Sequence, residues 1–231
     1  MDPTLERRRI VGSVGQFHRT TIRSADQAMS VGLQIGLDRG TGLVSFIGAV
    51  LEEGREPLVV VDSSIVPSND SWEVRGDGIW VDHVCETPFE HWSYGLEAFG
   101  LRLDDPAELL GRGFGYREPL GWELEFESTA KPEPQGQSDG ELGGYRQDGT
   151  AHGLVLFKGR EVEIDGSAVR QHWWHDHNDA AISVAALTSR EGDRSGGARV
   201  ALPQPAGTWW LAVDGHKTEW TFDDGTTATT S

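Results

Sequence analysis

The stretch GWELEFES, residues 121–128, alternates without a break. Trp122, Leu124 and Phe126 fall on one side, and Glu123, Glu125 and Glu127 on the other. Successive side chains of a strand point to opposite faces. The segment therefore reads as a half-buried antiparallel strand, with one face on a core and the other in water. Outward from it, residues 29–38, 42–52 and 56–66 are near-continuous apolar runs rich in Val, Ile and Leu. RGDGIW and VDGHK carry Asp-Gly pairs suited to tight hairpins. Helical periodicity is scarce. The best short helix is DDPAELLG, residues 104–111, with Asp104 or Asp105 as cap, Pro106 in the first turn and Gly111 as stop. Turn signals about every ten residues favour an all-β sandwich or barrel over alternating βαβ units.

The chain has 231 residues, of which 37% are hydrophobic. That suits a single domain spanning residues 1–231. TAKPEPQGQSDGEL, residues 129–142, reads as an exposed loop joining two halves, 10–128 and 143–223, of one sheet system. The tail DDGTTATTS reads as disordered. A formal net charge of −17 excludes nucleic acid and anionic membranes as natural partners. Arg7, Arg8 and Arg9 form the one basic cluster and read as a solvated tail. No run approaches the length of a membrane span, and MDPTLERRRI lacks the apolar core of a signal peptide. Cys85 is the sole cysteine, so no intramolecular disulfide forms, and a cytoplasmic location is expected.

Two clusters carry chemistry. RQHWWHDHN, residues 170–178, read as a strand, puts Arg170, His172, Trp174 and Asp176 on one face. Gln171, Trp173, His175 and His177 fall on the other. Polar groups turned into a core need partners or a ligand. His175 and His177 form an H-x-H pair, a two-ligand platform for a metal, with His18, His83 or His91 as a third donor. No spacing nominates one of the three, so no metal is expected. CETPFEHWSYGLEAF, residues 85–99, places Trp92, Tyr94 and Leu96 on one face beyond a bend at Pro88. Glu86, Glu90 and His91 stand nearby as acid–base candidates. Nine tryptophans supply either core or the wall of a cavity for an apolar ligand. The signatures of a serine hydrolase, a P-loop, a zinc protease and a dinucleotide fold are absent from the sequence.

Three segments carry a resemblance: IWVDHVCETPFEHWSYGLEAFGLRLDDPAELLG at 79–111, REPLGWELEFES at 117–128 and EVEIDGSAVRQHWWHD at 161–176. They resemble the lipocalin-like superfamily of carotenoid hydratase (hydroxyneurosporene synthase) and AttH-type proteins, which includes natural-product cyclases. The third segment is similar to a His-Ser-Trp-Gly pattern, matched at His172 and Trp174 and departed from at Trp173 and His175. The resemblance implies an antiparallel calycin-type barrel, enlarged or with a partial second sheet and few short helices. It also implies cofactor-independent cyclisation, isomerisation or hydration of a hydrophobic polyketide or terpenoid, including pericyclic [4+2] cycloaddition. On that reading His172, Glu86 and Glu90 are the catalytic candidates, and Arg170, Trp174, Trp80, Trp92, Tyr94 and Trp122 bind the substrate. Two other functions fit the same residues: a non-catalytic carrier of a lipophilic molecule, and a metal-dependent enzyme using His175 and His177.

Overall fold

The computed structural model describes residues 1–6, 15–26, 28–37, 42–52, 55–67, 71–103, 115–135, 143–175, 219–221 and 227–229. Among the described residues, a 3-10 turn, Pro3–Glu6, precedes thirteen strands. These are β1 Gly15–Ser24, β2 Met29–Leu37, β3 Val44–Glu52, β4 Leu58–Ile65, β5 Val74–Gly76, β6 Ile79–Thr87 and β7 His91–Leu103. They continue with β8 Gly115–Ser128, β9 Glu133–Gln135, β10 Gly144–Phe157, β11 Arg160–His175, β12 Glu219–Thr221 and β13 Thr227–Thr229.

The strands form an up-and-down antiparallel barrel. Pairing runs β4-β3-β2-β1-β11-β10-β8-β7, and β4 pairs with β7 at Leu58↔Arg102 and Val59↔Leu101 to close the ring. Closure removes the sheet edges that an open sheet exposes. β7 is long enough to serve two neighbours on one side: β4 at its end, and β6 along residues His91–Ala98. The β5–β6 hairpin therefore enlarges the barrel at this seam. β5 spans three residues, so β6 runs on past it from Asp82. Strands from both halves of the chain share the ring, since β1 pairs with β11 over Gly15–Ser24.

Alternation explains the strands. In β8, Trp122, Leu124 and Phe126 are buried, while Glu123 and Glu127 are exposed and Glu125 half-buried. β2 is buried along its whole length on both faces, as its near-continuous apolar run requires. The Asp77–Gly78 pair makes the two-residue β5–β6 turn, with Gly78 at φ 76°, a conformation that glycine adopts without steric cost. Gly48 on β3 leaves room for Trp122: a Cβ there would lie 2.5 Å from the indole.

The segment expected as an exposed loop at 129–142 includes β9, which pairs with the start of β10. One expectation is corrected. The tail contains β13, which pairs with β12. The helix expected at 104–111 lies outside the described residues, as does the VDGHK turn. Among the described residues, no helix is long and apolar enough to cross a membrane.

Candidate functional site

Polar side chains collect at one end of the barrel interior. β1 contributes Gln16, His18 and Thr20, β10 contributes Tyr145 and Gln147, and β11 contributes Arg170 and His172; all are buried. Alternation along β11 sends Arg170, His172 and Trp174 inward together, and Ala168 and Ile164 continue the same face into the apolar core. Gln171 and Trp173 are half-buried on the other face. The His175 side chain and all of His177 lie outside the described residues.

Glu6 completes the cluster. It comes from the 3-10 turn, not from a barrel strand, yet its side chain and that of Arg170 are each 1% exposed. Arg170 Nη1 donates to Glu6 Oε1 at 3.2 Å, and Nη2 donates to Oε2. The Tyr145 hydroxyl also donates to Oε1, at 2.5 Å. The guanidinium carbon sits 4.3 Å from the centre of the Trp92 ring, a favourable stacking for a cation. Burial pulls the Arg170 pKa down, but Tyr145, Glu6 and Tyr94 more than reverse this and hold it above its usual value. The cation is therefore permanent.

From Glu6 a hydrogen-bonded chain leads back through the barrel. Gln16 Nε2 lies 2.9 Å from His172 Nε2. With the amide oriented this way it donates, so the His172 proton belongs on Nδ1, which faces the Tyr145 oxygen at 3.3 Å. Burial raises the Tyr145 hydroxyl far above the ordinary phenol range, so it stays protonated and donates to Glu6. His18 stacks on His172 with ring centres 3.7 Å apart, and its Nδ1 is 3.5 Å from Arg170 Nη2. Burial first, then His172 and Arg170, lower the His18 pKa well below that of a free imidazole. It is a neutral ring.

A half-open cavity of about 740 Å³ adjoins this cluster. It lies where β6 runs free of β5, and its wall includes Glu6, Trp72, Asp82, His83, Cys85 and Trp92. His83 is 3% exposed, and neither ring nitrogen has a partner among the described residues. Burial, and to a lesser degree Arg170, push its pKa down to about 3. Glu6 is a lining residue of the cavity, and its buried carboxylate is held by Arg170 and Tyr145.

Of the substrate-binding residues proposed from sequence, Trp92 lines the cavity. Arg170, Tyr94, Trp122 and Trp174 are turned inward but do not form its wall; Trp174 packs 4.3 Å from the His172 ring. Tyr94 accepts from the Thr20 hydroxyl at 2.9 Å, and burial raises its own hydroxyl to about 12. Trp122 packs against Phe46 in the core. Trp80 is on the outer face of β6, where its indole donates to Glu73 at 3.3 Å. Among the catalytic candidates, His172 sits in the chain behind Glu6. Glu86 and Glu90 are exposed at the β6–β7 hairpin, where Glu86 accepts from Ser93 at 2.8 Å. Glu6 was missed from sequence, and its position among polar residues 1–9 carried no local signal. His83 entered only as a possible third metal ligand.

Glu6, His18 and His172 place donor atoms within 4.8 Å of one another, close enough for a shared metal ion. The chemistry argues against that use. Arg170 already neutralises both Glu6 oxygens and touches His18, so a divalent cation would meet a fixed positive charge with little solvent between them. Both His172 nitrogens are engaged as well.

No protein-family model and no curated protein matches the chain. Two solved structures do. The crystal structure of CghA with Sch210972 aligns with a TM-score of 0.39 and 12% identity over 71% of this chain and 46% of that one. The crystal structure of CghA aligns with a TM-score of 0.37 and the same identity and coverage. The chain thus spans about half the length of the structures that it matches.

Proposed function

We propose that this barrel is a cofactor-independent isomerase or cyclase acting on an apolar small molecule. The ligand lies in the cavity against Trp72 and Trp92. The chain Gln16–His172–Tyr145–Glu6 holds or moves a proton at its polar end. The observation that supports this reading is the double role of Glu6, which is at once cavity wall and terminus of a buried acid–base chain. Buried polar chains of this kind are costly unless fully satisfied, and a merely structural barrel has no need of one beside an opening. Confinement against flat aromatic walls restricts a flexible substrate to reactive conformers. A donor–acceptor chain at one end then polarises it or exchanges a proton with it. The sequence resemblance extends the reading to a polyketide or terpenoid intermediate, with a pericyclic ring closure as one outcome.

The test is solvent-proton exchange. Incubation in D2O with a panel of apolar unsaturated ketones and polyenes should give isomerised, cyclised or deuterium-labelled products. Wild type should do so, and His172→Gln should not. Ligands that bind and return unchanged and unlabelled would instead identify a carrier.

A further inference from the structure

The carboxylate bound by Arg170 is supplied by a short turn outside the strands of the barrel. Arg170, Tyr145 and Trp92 belong to β11, β10 and β7, strands of the closed ring. Glu6 belongs to a four-residue 3-10 turn whose other residues are exposed or half-exposed. A fully buried guanidinium requires a counter-charge, and its fork accepts any carboxylate of the same planar shape. We propose that Glu6 is a stand-in: the Arg170–Tyr145 pocket is a receptor for the carboxylate of an apolar acid, which displaces Glu6 when it binds.

Three further features fit this role. Glu6 is both a lining residue of the cavity and the partner of Arg170, so a carboxylate that reaches Arg170 from the cavity takes the place of Glu6. Trp72 and Trp92 provide the walls for an apolar body. His83, buried on the same wall with both nitrogens unpartnered among the described residues, leaves a donor and an acceptor for a ligand. The tether also creates selectivity. Glu6 competes at the high effective concentration of an attached group, so a small acid cannot dislodge it. An acid that adds apolar contacts in the cavity can. The inference rests on the cavity reading above and names its substrate class: an amphiphilic acid whose head group then ends the Tyr145–His172 chain.

The experiment uses the full chain with dodecanoate, dodecanol and acetate as probes. Binding is followed by tryptophan fluorescence, and the backbone amides of residues 3–6 by hydrogen–deuterium exchange. Dodecanoate should bind at least tenfold more tightly than dodecanol and speed exchange over residues 3–6, while acetate at the same concentration does neither. In Glu6→Gln, dodecanoate affinity should rise at least tenfold with dodecanol affinity unchanged. If that variant does not fold, the wild-type comparison decides alone. Equal binding of dodecanoate and dodecanol, with no faster exchange, would overturn the inference and leave the apolar cavity standing. Binding of neither would remove both, and acetate acting as well as dodecanoate would overturn the required apolar body. Displacement of Glu6 by dodecanoate, combined with proton exchange that survives His172→Gln, would uphold the receptor and remove the acid–base reading.

Discussion

Glu6 and Arg170, 164 positions apart in the chain, close a two-point ion pair inside the barrel with each side chain 1% exposed. Such a pair is not a simple gain in stability, because desolvating both charges offsets much of their attraction. Breaking it from one side is another matter. Arg170→Met leaves a buried carboxylate and should cost about 3–5 kcal/mol. The double variant Arg170→Met with Glu6→Gln should recover most of that loss. Urea denaturation of both measures this, and losses that simply add would show that the two side chains do not act as a pair.

His83 and His18 should make stability fall in mild acid. Both have folded pKa values below the ordinary imidazole value of 6.5, His83 at about 3. The unfolded chain therefore takes up protons first. The stabilisation is complete above about pH 6.5 and is lost as pH falls toward the folded value, by about 1.4 kcal/mol per pH unit for each histidine. Carboxylates titrate lower in the same range, so the diagnostic is a comparison. Between pH 6.5 and 4.5 the stability of His83→Asn should fall less steeply than that of wild type. Parallel slopes would mean that His83 is solvated or already charged.

Cys85 faces the cavity with its thiol raised to about 11, first by burial and then by Glu6. The thiolate is the reactive form. Modification by iodoacetamide at pH 7.5 should run roughly a hundredfold more slowly than for an unhindered cysteine, since two pKa units separate them. A fast reaction would show that Cys85 is far better solvated than this.

Gly48→Ala tests how tightly the barrel is filled. Its Cβ would fall 2.5 Å from Trp122 and 3.2 Å from Phe46. Trp122 cannot retreat, because it is 1% exposed among Leu96, Leu124 and Val155. A loss of about 1–3 kcal/mol is expected from overpacking, read as a lower thermal midpoint. An unchanged midpoint would mean that the interior has room to spare.

Much of this architecture was legible from periodicity. The alternation in GWELEFES and in residues 170–174 assigns each side chain to a face because a strand has a period of two, whatever its neighbours. The Asp-Gly turn at residues 77–78 was legible for an equally local reason. What remained hidden depends on closure. Glu6 reads as one more acid in a polar segment until β1, β10 and β11 come together around it, and no short-range pattern records a partner 164 residues away. The cavity was hidden too, since it lies where the β5–β6 ladder ends after three residue pairs and β6 runs on beside Ser71–Glu73. Glu86 and Glu90 stand in a setting that sequence proximity to Trp92 and Tyr94 did not disclose: both are exposed on the β6–β7 hairpin.

Tyr145→Phe separates structure from chemistry most sharply. The hydroxyl is the link between His172 and Glu6, 3.3 Å from one and 2.5 Å from the other. Phenylalanine keeps the ring, and with it the edge contacts to Phe89 and His172. Glu6 keeps its fork on Arg170, so the fold and the cavity persist. Loss of one charge-assisted hydrogen bond should cost about 1.5–3 kcal/mol. If the chain handles a proton, kcat should fall by about 10²–10⁴, with KM and apolar-ligand affinity near wild type. If the chain is only structural, the stability loss appears alone and turnover is kept. Measuring denaturation, kcat and KM on the same preparation distinguishes the two, and a Tyr145→Phe enzyme with normal kcat would remove the His172–Tyr145–Glu6 chain from the mechanism.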